Sequence, residues 1–437
     1  MTEAEKNRSS LIAYFESGSK DNDQKLGVEV EHFIIVSSDG TPFTYAAQGS
    51  IPGVHEVLEH LLSTYPIIYQ NSEGELIGCA NEEASITLEP SSQIEISIAP
   101  FSEVARIEAA YEHFRAAIDP FLCAHGAKLV NAGYHPTRKA EELTLIPKER
   151  YRLMDKHFAD LGTLGLRMMR ASASTQVSID YTSEADAVRK MRIASALAPI
   201  LGAIADNVAV YEREVGAYPL VRLAVWRNVD DDRCGVVPGV FKPGFGFGAY
   251  ADWLLSTSPI FINAKQPDGT TVEQAESTRS AGEIYENTAM TKADIEHLIS
   301  MFWPDVRLKR FVEIRPADSL PQEYLTGYAA LIKGLFYSEE SMRALEQELG
   351  VCQDAQGKDI WPLDERAVED AIDAIRSCGY EARFYGEKAK SLRDWIELLF
   401  NLARTALSEN ERSYLKGIEA FALSKAWKLN GYPSVQE

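Results

Sequence analysis

The chain has 437 residues and a formal net charge of −21, with 45% hydrophobic and 25% charged residues. That composition is ordinary for a globular protein with a sizeable core, and its acidity argues against a nucleic-acid surface or an anionic membrane as partner. No apolar run approaches the roughly 18 residues of a membrane span, and the polar start M-T-E-A-E-K-N-R-S-S lacks a signal-peptide core, so a cytoplasmic location is expected.

Glu3–Ser17 reads as a short amphipathic helix, and Lys25–Val36 as the first strand, closed by Ser38-Asp39-Gly40. Ile51–Tyr65 has helical periodicity, and Asn71–Ala80 reads as a loop or short hairpin around Ser72-Glu73-Gly74. Next comes Ile86–Ile98, I-T-L-E-P-S-S-Q-I-E-I-S-I, whose second half alternates polar and apolar residues without a fault. Ser102–Gly126 reads as a helix capped by Ser102 and stopped by Gly126. A strand over Lys128–Tyr134, a helix over Lys148–Phe158 and a strand around Gln176 within Met168–Tyr181 follow. Ser183, with Asp186 three residues on, then opens a long helix.

Arg222–Asn228 again reads as extended, and Asp230–Gly235 as a charged loop. The G-F-G-F-G within Phe241–Tyr250 has neither the spacing of a dinucleotide loop nor a Walker lysine, so it receives no nucleotide role. Ile262 to about Asn287 is polar and rich in Gly, Thr and Ser, which suggests a mobile loop or lid. Thr291–Phe302 is predicted as a helix and Val306–Arg315 as the last strand. From Pro321 onward the pattern is helical, with a break at Gly350–Gly357. Strands before residue 316 and helices after it predict an α+β architecture, with helices packed on an antiparallel sheet. A single catalytic domain over residues 1–437 is expected, strand-rich over about 25–320 and mainly helical over about 321–437.

The five cysteines are scattered without C-x-x-C spacing, and the eight histidines form no H-E-x-x-H pair. Hard oxygen ligands remain as the metal chemistry, which means magnesium, calcium or manganese. Four stretches put polar groups on one face of a strand and apolar groups on the other. Glu29 and Glu31 alternate with Val28 and Val30; Gln93, Glu95 and Ser97 with Ile94, Ile96 and Ile98; Gln176 and Ser178 with Thr175, Val177 and Ile179; Glu313 and Arg315 with Val312 and Ile314.

For any one strand, a solvated face explains the pattern. Together, Glu29, Glu31, Glu89, Glu95 and Glu313 bring one cation among them, Arg315, whereas a solvated sheet face mixes signs. Such a cluster requires a divalent metal or protonated carboxyls, and a metal-lined funnel is the expectation. Two other readings use the same residues. One is a glycoside hydrolase with Glu95 and Glu313 as acid and nucleophile; the other is a non-catalytic Ca²⁺-binding β protein.

The motifs resemble the glutamate–cysteine ligases of the plant and proteobacterial type, within the glutamine-synthetase-like carboxylate–amine ligases. The matching runs, in family order, are G-V-E-V-E at Gly27–Glu31, L-E-P-S-S-Q-I-E-I-S at Leu88–Ser97 and P-K-E-R-Y at Pro147–Tyr151. They continue with G-L-R-M-M-R-A-S-A-S-T-Q-V-S-I-D at Gly165–Asp180, S-E-A-D-A-V-R-K at Ser183–Lys190 and D-R-C-G-V-V-P at Asp232–Pro238. F-G-F at Phe245–Phe247 and F-V-E-I-R-P-A-D at Phe311–Asp318 complete the set.

The resemblance implies a curled sheet forming a funnel, with ATP at one end and amino-acid substrates at the other. It implies transfer of the ATP γ-phosphoryl to the γ-carboxylate of glutamate, and attack on that acyl phosphate by the amine of cysteine. It makes Glu29, Glu31, Glu89, Glu95 and Glu313 ligands of Mg²⁺ (or Mn²⁺), with Gln176 where the wider group places a histidine. Arg315 and Arg222 would grip phosphate or substrate carboxylate bidentately, and Lys148, Arg150, Tyr151 and Gln93 would contact substrate or nucleotide. The expected partners are small molecules, with the protein a monomer or homodimer. Two departures stand out: Ser91 and Ser92 replace the glycines of the usual L-E-P-G-G-Q, and L-A-V-W-R-N follows Arg222 where R-S-H-I-W is usual. Both bear on the acceptor amine, leaving another γ-glutamyl amide as an alternative product.

Overall fold

The computed structural model describes the chain except residues 22–23, 163, 266–270, 277, 387–388 and 430–437. Before residue 316 its strands are β1 (Leu26–Val36), β2 (Ile67–Gln70), β3 (Leu76–Ala80), β4 (Ala84–Leu88), β5 (Ile94–Phe101), β6 (Ala127–Val130) and β7 (Thr175–Ile179). Then come β8 (Val210–Tyr211), β9 (Glu214–Val215), β10 (Cys234–Gly235), β11 (Phe261–Lys265), β12 (Thr271–Ala275), β13 (Trp303–Pro304), β14 (Val306–Leu308) and β15 (Val312–Ile314). The helices through the strand-rich part are α1 (Glu3–Glu16), α2 (Val54–Leu61), α3 (Val104–Ala124), α4 (Glu149–Leu161), α5 (Gly165–Ala171), α6 (Glu184–Ile204) and α7 (Val221–Trp226). They continue with α8 (Phe247–Ser256), α9 (Ala281–Ile284) and α10 (Lys292–Ile299). The later ones are α11 (Gln322–Phe336), α12 (Glu339–Glu348), α13 (Glu365–Cys378), α14 (Leu392–Ala406) and α15 (Glu409–Leu423). None of the described helices is long and apolar enough to cross a membrane, and all five cysteines are free thiols.

The main sheet runs β14-β15-β7-β1-β5-β4-β3-β2, with β6 pairing the far half of β1. Every pair in it is antiparallel. Residues opposite one another across strands point to the same face, so the register says which side chains share a side. Thr87, Glu95 and Glu31 form one row; Ser85, Ser97, Glu29 and Gln176 form the next; Gly27, Ser178, Glu313 and Arg307 the third. The alternating apolar residues, among them Val28, Val30, Ile94, Ile96, Val177 and Ile314, are buried on the other face, where α3, α6 and α11 pack. The α+β expectation holds: an antiparallel sheet curls with helices against it.

Several local expectations are corrected. Ile86–Ile98 is not one run but the hairpin β4–β5: Pro90 cannot donate to a ladder, and the Glu89 N–H closes on the Gln93 carbonyl at 2.9 Å. Val306–Arg315 likewise splits into β14 and β15 about a turn at Lys309. Ser102 does not cap α3, whose first cap is Glu103, without a side-chain bond. Arg222–Asn228 is not extended; α7 is helical through Trp226. A six-residue segment buried from Val221 through Val225 carries no periodicity that separates helix from strand. Ile262–Asn287 contains the hairpin β11–β12 and the short α9, so it is structured where described; its tip, residues 266–270, and residue 277 lie outside the described residues.

The departure at the β4–β5 turn has an energetic consequence. Ser92 adopts φ 69°, left-handed, and the hydroxyls of Ser91 and Ser92 are both buried without a hydrogen-bond partner. A non-glycine residue there costs roughly 1–2 kcal/mol, and the orphaned hydroxyl adds to it, against about 0.5–1 kcal/mol of extra chain entropy for glycine. Ser92→Gly is therefore expected to stabilise the protein by about 1 kcal/mol, read as a higher urea midpoint at unchanged m-value. An unchanged or lower midpoint would show that the turn tolerates serine without strain.

Candidate active site

The polar face of the sheet closes over a cavity of about 310 Å³. Its floor is Glu29 and Glu31 from β1, Glu95 from β5, Arg307 from β14 and Arg315 just past β15, with Glu89 and Gln93 from the β4–β5 turn at one side. The opposite wall comes from Lys148, Arg150, Tyr151 and Met154 at the start of α4, Met168 and Met169 of α5, Arg222 and Trp226 of α7, and Ser300 and Trp303. Eleven of the twelve residues singled out in the sequence line this one cavity. The twelfth, Glu313, is beneath the lining and fully buried.

The carboxylates divide into two kinds. Glu313 accepts Arg307 Nε at 2.6 Å and Arg315 Nη1 at 3.0 Å on one oxygen, and Lys309 Nζ at 2.8 Å on the other. Burial alone would raise its pKa, but Arg307, Lys309 and Arg315 hold it well below the usual carboxylate range. Both oxygens are thus committed to cations, so as the site stands Glu313 braces the arginines.

The others are pushed upward. Burial raises Glu95 well above the ordinary range, with Glu29, Glu89 and Glu31 adding repulsion. Burial and the nearby Glu31 push Glu89 up to about 7, against the pull of Lys148, Arg150 and Arg315. Glu29 is raised by burial and by Glu313. Glu31 is raised by burial, although Ser174 N and Oγ donate to its two oxygens at 2.8 and 2.9 Å. The cavity therefore holds four acids whose charges are incompletely balanced.

Lys148, Arg150 and Arg222, expected at the site, line the cavity with Arg315, and the expectation of one cation among the acidic strands is corrected by Arg307 and Lys309, which join them. Arg307 and Lys309 went unrecognised although V-R-L-K at Val306–Lys309 alternates in the same way as the acidic strands. Trp226 was missed for a different reason. One helical turn separates it from Arg222, and the indole stands 5.8 Å from the Arg222 guanidinium and 5.7 Å from that of Arg315.

The two glutamines are already engaged. Gln93 Nε2 donates to the carbonyls of Ser172 (3.1 Å), Arg170 (3.3 Å) and Met169 (3.4 Å), and its oxygen accepts Ser91 N at 2.8 Å. It ties the β4–β5 turn to the segment before β7, a bracing role where substrate contact was expected. Gln176 donates to Ser174 Oγ at 3.2 Å and Glu31 at 3.4 Å, and its oxygen accepts Arg315 Nη1.

At the rim, Arg150 Nη2 donates to Ser300 Oγ at 3.3 Å, its guanidinium lies over Phe261 of the β11–β12 hairpin at 5.6 Å, and its Nε is buried without a partner. Lys148 sits 4.7 Å from the Tyr151 ring, with burial lowering its pKa against the pull of Glu89. Tyr151 itself donates to the Leu88 carbonyl at 3.1 Å. The helix start is therefore part of the cavity wall.

An antiparallel sheet curled about a cavity of acids and guanidiniums, backed by helices, is the fold of the glutamine-synthetase-like carboxylate–amine ligases. Glutamate–cysteine ligase of Francisella tularensis, solved in complex with AMP, shares it: the TM-score is 0.54 at 11% identity, over 93% of this chain and 83% of that one. The model of glutamate–cysteine ligase family 2 matches residues 25–424, and the chain belongs to that family. The match reaches past residue 320, where the motifs end, through the C-terminal helices. Curated relatives include the chloroplastic glutamate–cysteine ligase of Arabidopsis thaliana, 30% identical over 345 residues, and form B of Oryza sativa subsp. japonica, 30% identical over 346. The alignments cover 77% of this chain but 64% and 68% of those proteins, so the chain spans about two thirds of their length.

Proposed function

We propose that this protein is an ATP-dependent ligase that joins the γ-carboxylate of glutamate to the amine of cysteine through a γ-glutamyl phosphate, releasing ADP and phosphate. The observation that carries the reading is the convergence of four acids and six cations on one cavity, in a chain of the glutamate–cysteine ligase family. ATP as co-substrate is supported by the AMP complex of the Francisella enzyme.

Phosphoryl transfer to a carboxylate brings two anions together, so the site must neutralise and align them. Arg315 and Arg222 are suited to this because a guanidinium forks onto phosphate or carboxylate. Arg222 commits Nη1 to the carbonyls of residues 315–317, and its Nε is buried without a partner. Arg307 and Lys309 hold Glu313 and thereby fix the sheet edge that presents Arg315. Lys148 and Arg150 offer positive charge at the rim for the nucleotide or the second substrate.

The unbalanced acids fit a hard divalent cation, Mg²⁺ or Mn²⁺, by the chemistry of their oxygens. Glu29, Glu31, Glu89 and Glu95 would hold it, and when bound it would offset charge on the transferring phosphoryl group. Among the described residues no three His, Cys, Asp or Glu side chains are gathered to hold an ion as they stand, so binding would draw these acids together. The glycoside-hydrolase alternative is not favoured, because its intended nucleophile, Glu313, has both oxygens held by cations.

The test is phosphate release with ATP, Mg²⁺ and glutamate against a panel of amines. Cysteine is expected to support the fastest release, with the γ-glutamyl amide as product. A different amine in first place would reassign the acceptor and keep the ATP half-reaction. Release indifferent to glutamate would end the ligase reading.

A further inference from the structure

The segment after α15 connects to the cavity through two buried acids. α7 carries Arg222 and Trp226 into the cavity wall. It starts from Leu220, left-handed at φ 58°, whose N–H donates to Asp206 Oδ2 at 3.2 Å. The Arg222 guanidinium rests on a row of carbonyls, with Nη1 donating to those of Arg315 (3.1 Å), Pro316 (3.4 Å) and Ala317 (3.4 Å). The next residue in that row, Asp318, accepts the Asn207 N–H at 2.7 Å. Asp206 and Asp318 thus each anchor one of the two backbone pieces that place Arg222.

The two acids are within hydrogen-bonding reach of each other and buried. Burial pushes both carboxyls up, with the charge of Asp318 adding repulsion at Asp206 and the contact with Asp206 working the other way at Asp318, and Asp206 Oδ1 is buried with no partner of its own. The Asp318 carboxyl is closely packed from the other side: a Cβ on Gly133 would lie 2.3 Å from its carboxyl carbon. What steadies the pair comes from outside the sheet. Trp427 Nε1 donates to Asp206 Oδ2 at 2.7 Å, and Lys425 Nζ donates to the Asp206 backbone carbonyl at 2.5 Å. The segment is itself fastened, with Lys428 N–H on the Ala217 carbonyl at 2.8 Å and the Trp427 ring 4.8 Å from that of Tyr380.

We propose that residues 425–428 form a strap that sets the position of Arg222, with Trp427 and Lys425 as positioning residues acting through Asp206. This rests on Arg222 being a substrate-gripping residue, as read above. A displaced guanidinium far from any lost contact with substrate can still reduce turnover by roughly ten- to a hundredfold.

The experiment is a double-mutant cycle in the full chain, assayed as glutamate- and cysteine-dependent phosphate release with Mg²⁺ and ATP. Trp427→Phe keeps an aromatic ring beside Tyr380 and removes the N–H donor together with part of the indole, which is why the histidine variant is needed beside it. It is expected to lower kcat/KM for glutamate by about tenfold or more, while Trp427→His, which retains a ring N–H, recovers part of the loss. In an Arg222→Lys background the same substitution is expected to change kcat/KM by less than about twofold, because the two act as one unit. Lys425→Met is carried through the same cycle, so the result does not hang on one variant's folding. Equal losses from Trp427→Phe in both backgrounds, or no loss in the first, overturn the strap while leaving Arg222 at the substrate. Full activity of Arg222→Lys itself would instead remove the role of Arg222, and the strap with it.

Discussion

Arg315→Lys is expected to lower kcat by roughly a hundred- to a thousandfold, the loss typical of removing one preorganised donor from a developing charge, at little change in melting temperature. Arg315 stands where three parts of the site meet. Its Nη1 donates to Gln176 Oε1 and, at 3.0 Å, to Glu313 Oε2; its guanidinium lies 5.7 Å from the Trp226 ring; its N–H is fixed on the Asp305 carbonyl at 3.0 Å. With Nη1 so committed, the remaining N–H groups of the fork are those available to a phosphate or carboxylate. A lysine brings one nitrogen on a flexible stem and must either hold Glu313 or meet the substrate. The fold survives the exchange because Arg307 and Lys309 still pair with Glu313. Steady-state phosphate release beside a thermal melt decides it: wild-type kinetics in the lysine variant would deny Arg315 any part in phosphoryl transfer.

What the sequence made legible follows the length scale of each interaction. The acids on β1 and β5 could be placed on one face because strand alternation is local, and the register then brings Glu31 opposite Glu95 and Glu29 opposite Gln176. Which acids keep their charge could not be read. That depends on partners from other strands: Glu313 is held low by Arg307 from its neighbour β14, while Glu95 has hydroxyls beside it and acids around it. Two short segments misled for opposite reasons. Val221 through Val225 is buried throughout, so this short helix leaves no amphipathic trace, and Trp226 was lost from the site with it. Gln93 lies on the polar face as expected, yet its amide closes a loop, because the carbonyls of Arg170 and Ser172 arrive from some 80 residues away. Asp206 and Trp427 were invisible for the same reason, being 221 residues apart.

Glu95→Gln is expected to abolish Mg²⁺-dependent turnover and, at neutral pH, to raise the stability of the ligand-free protein. The two effects share one cause. Glu95 is repelled by Glu29, Glu89 and Glu31 in a buried setting, while the Thr87 and Ser97 hydroxyls reach its Oε1 at 3.1 Å each. An amide oxygen keeps those two contacts and the shape, but withdraws the charge that a divalent cation would answer. A carboxyl whose pKa is raised on folding binds a proton that the unfolded chain has already released, so its stabilising contribution is present at low pH and is lost as pH rises. For Glu89 that loss runs from the ordinary glutamate value of about 4.3 up to about 7, and Glu95 and Glu29 act in the same direction. The ligand-free wild type should therefore show a melting temperature that falls between pH 5 and pH 8 and recovers on adding Mg²⁺, since a cation bound only to the folded state stabilises it. In Glu95→Gln the fall should be shallower and the Mg²⁺ recovery smaller. If the variant instead melts below wild type at pH 8, or keeps full turnover, then Glu95 is already balanced by its neighbours, and the acids of this cavity are not the seat of a metal.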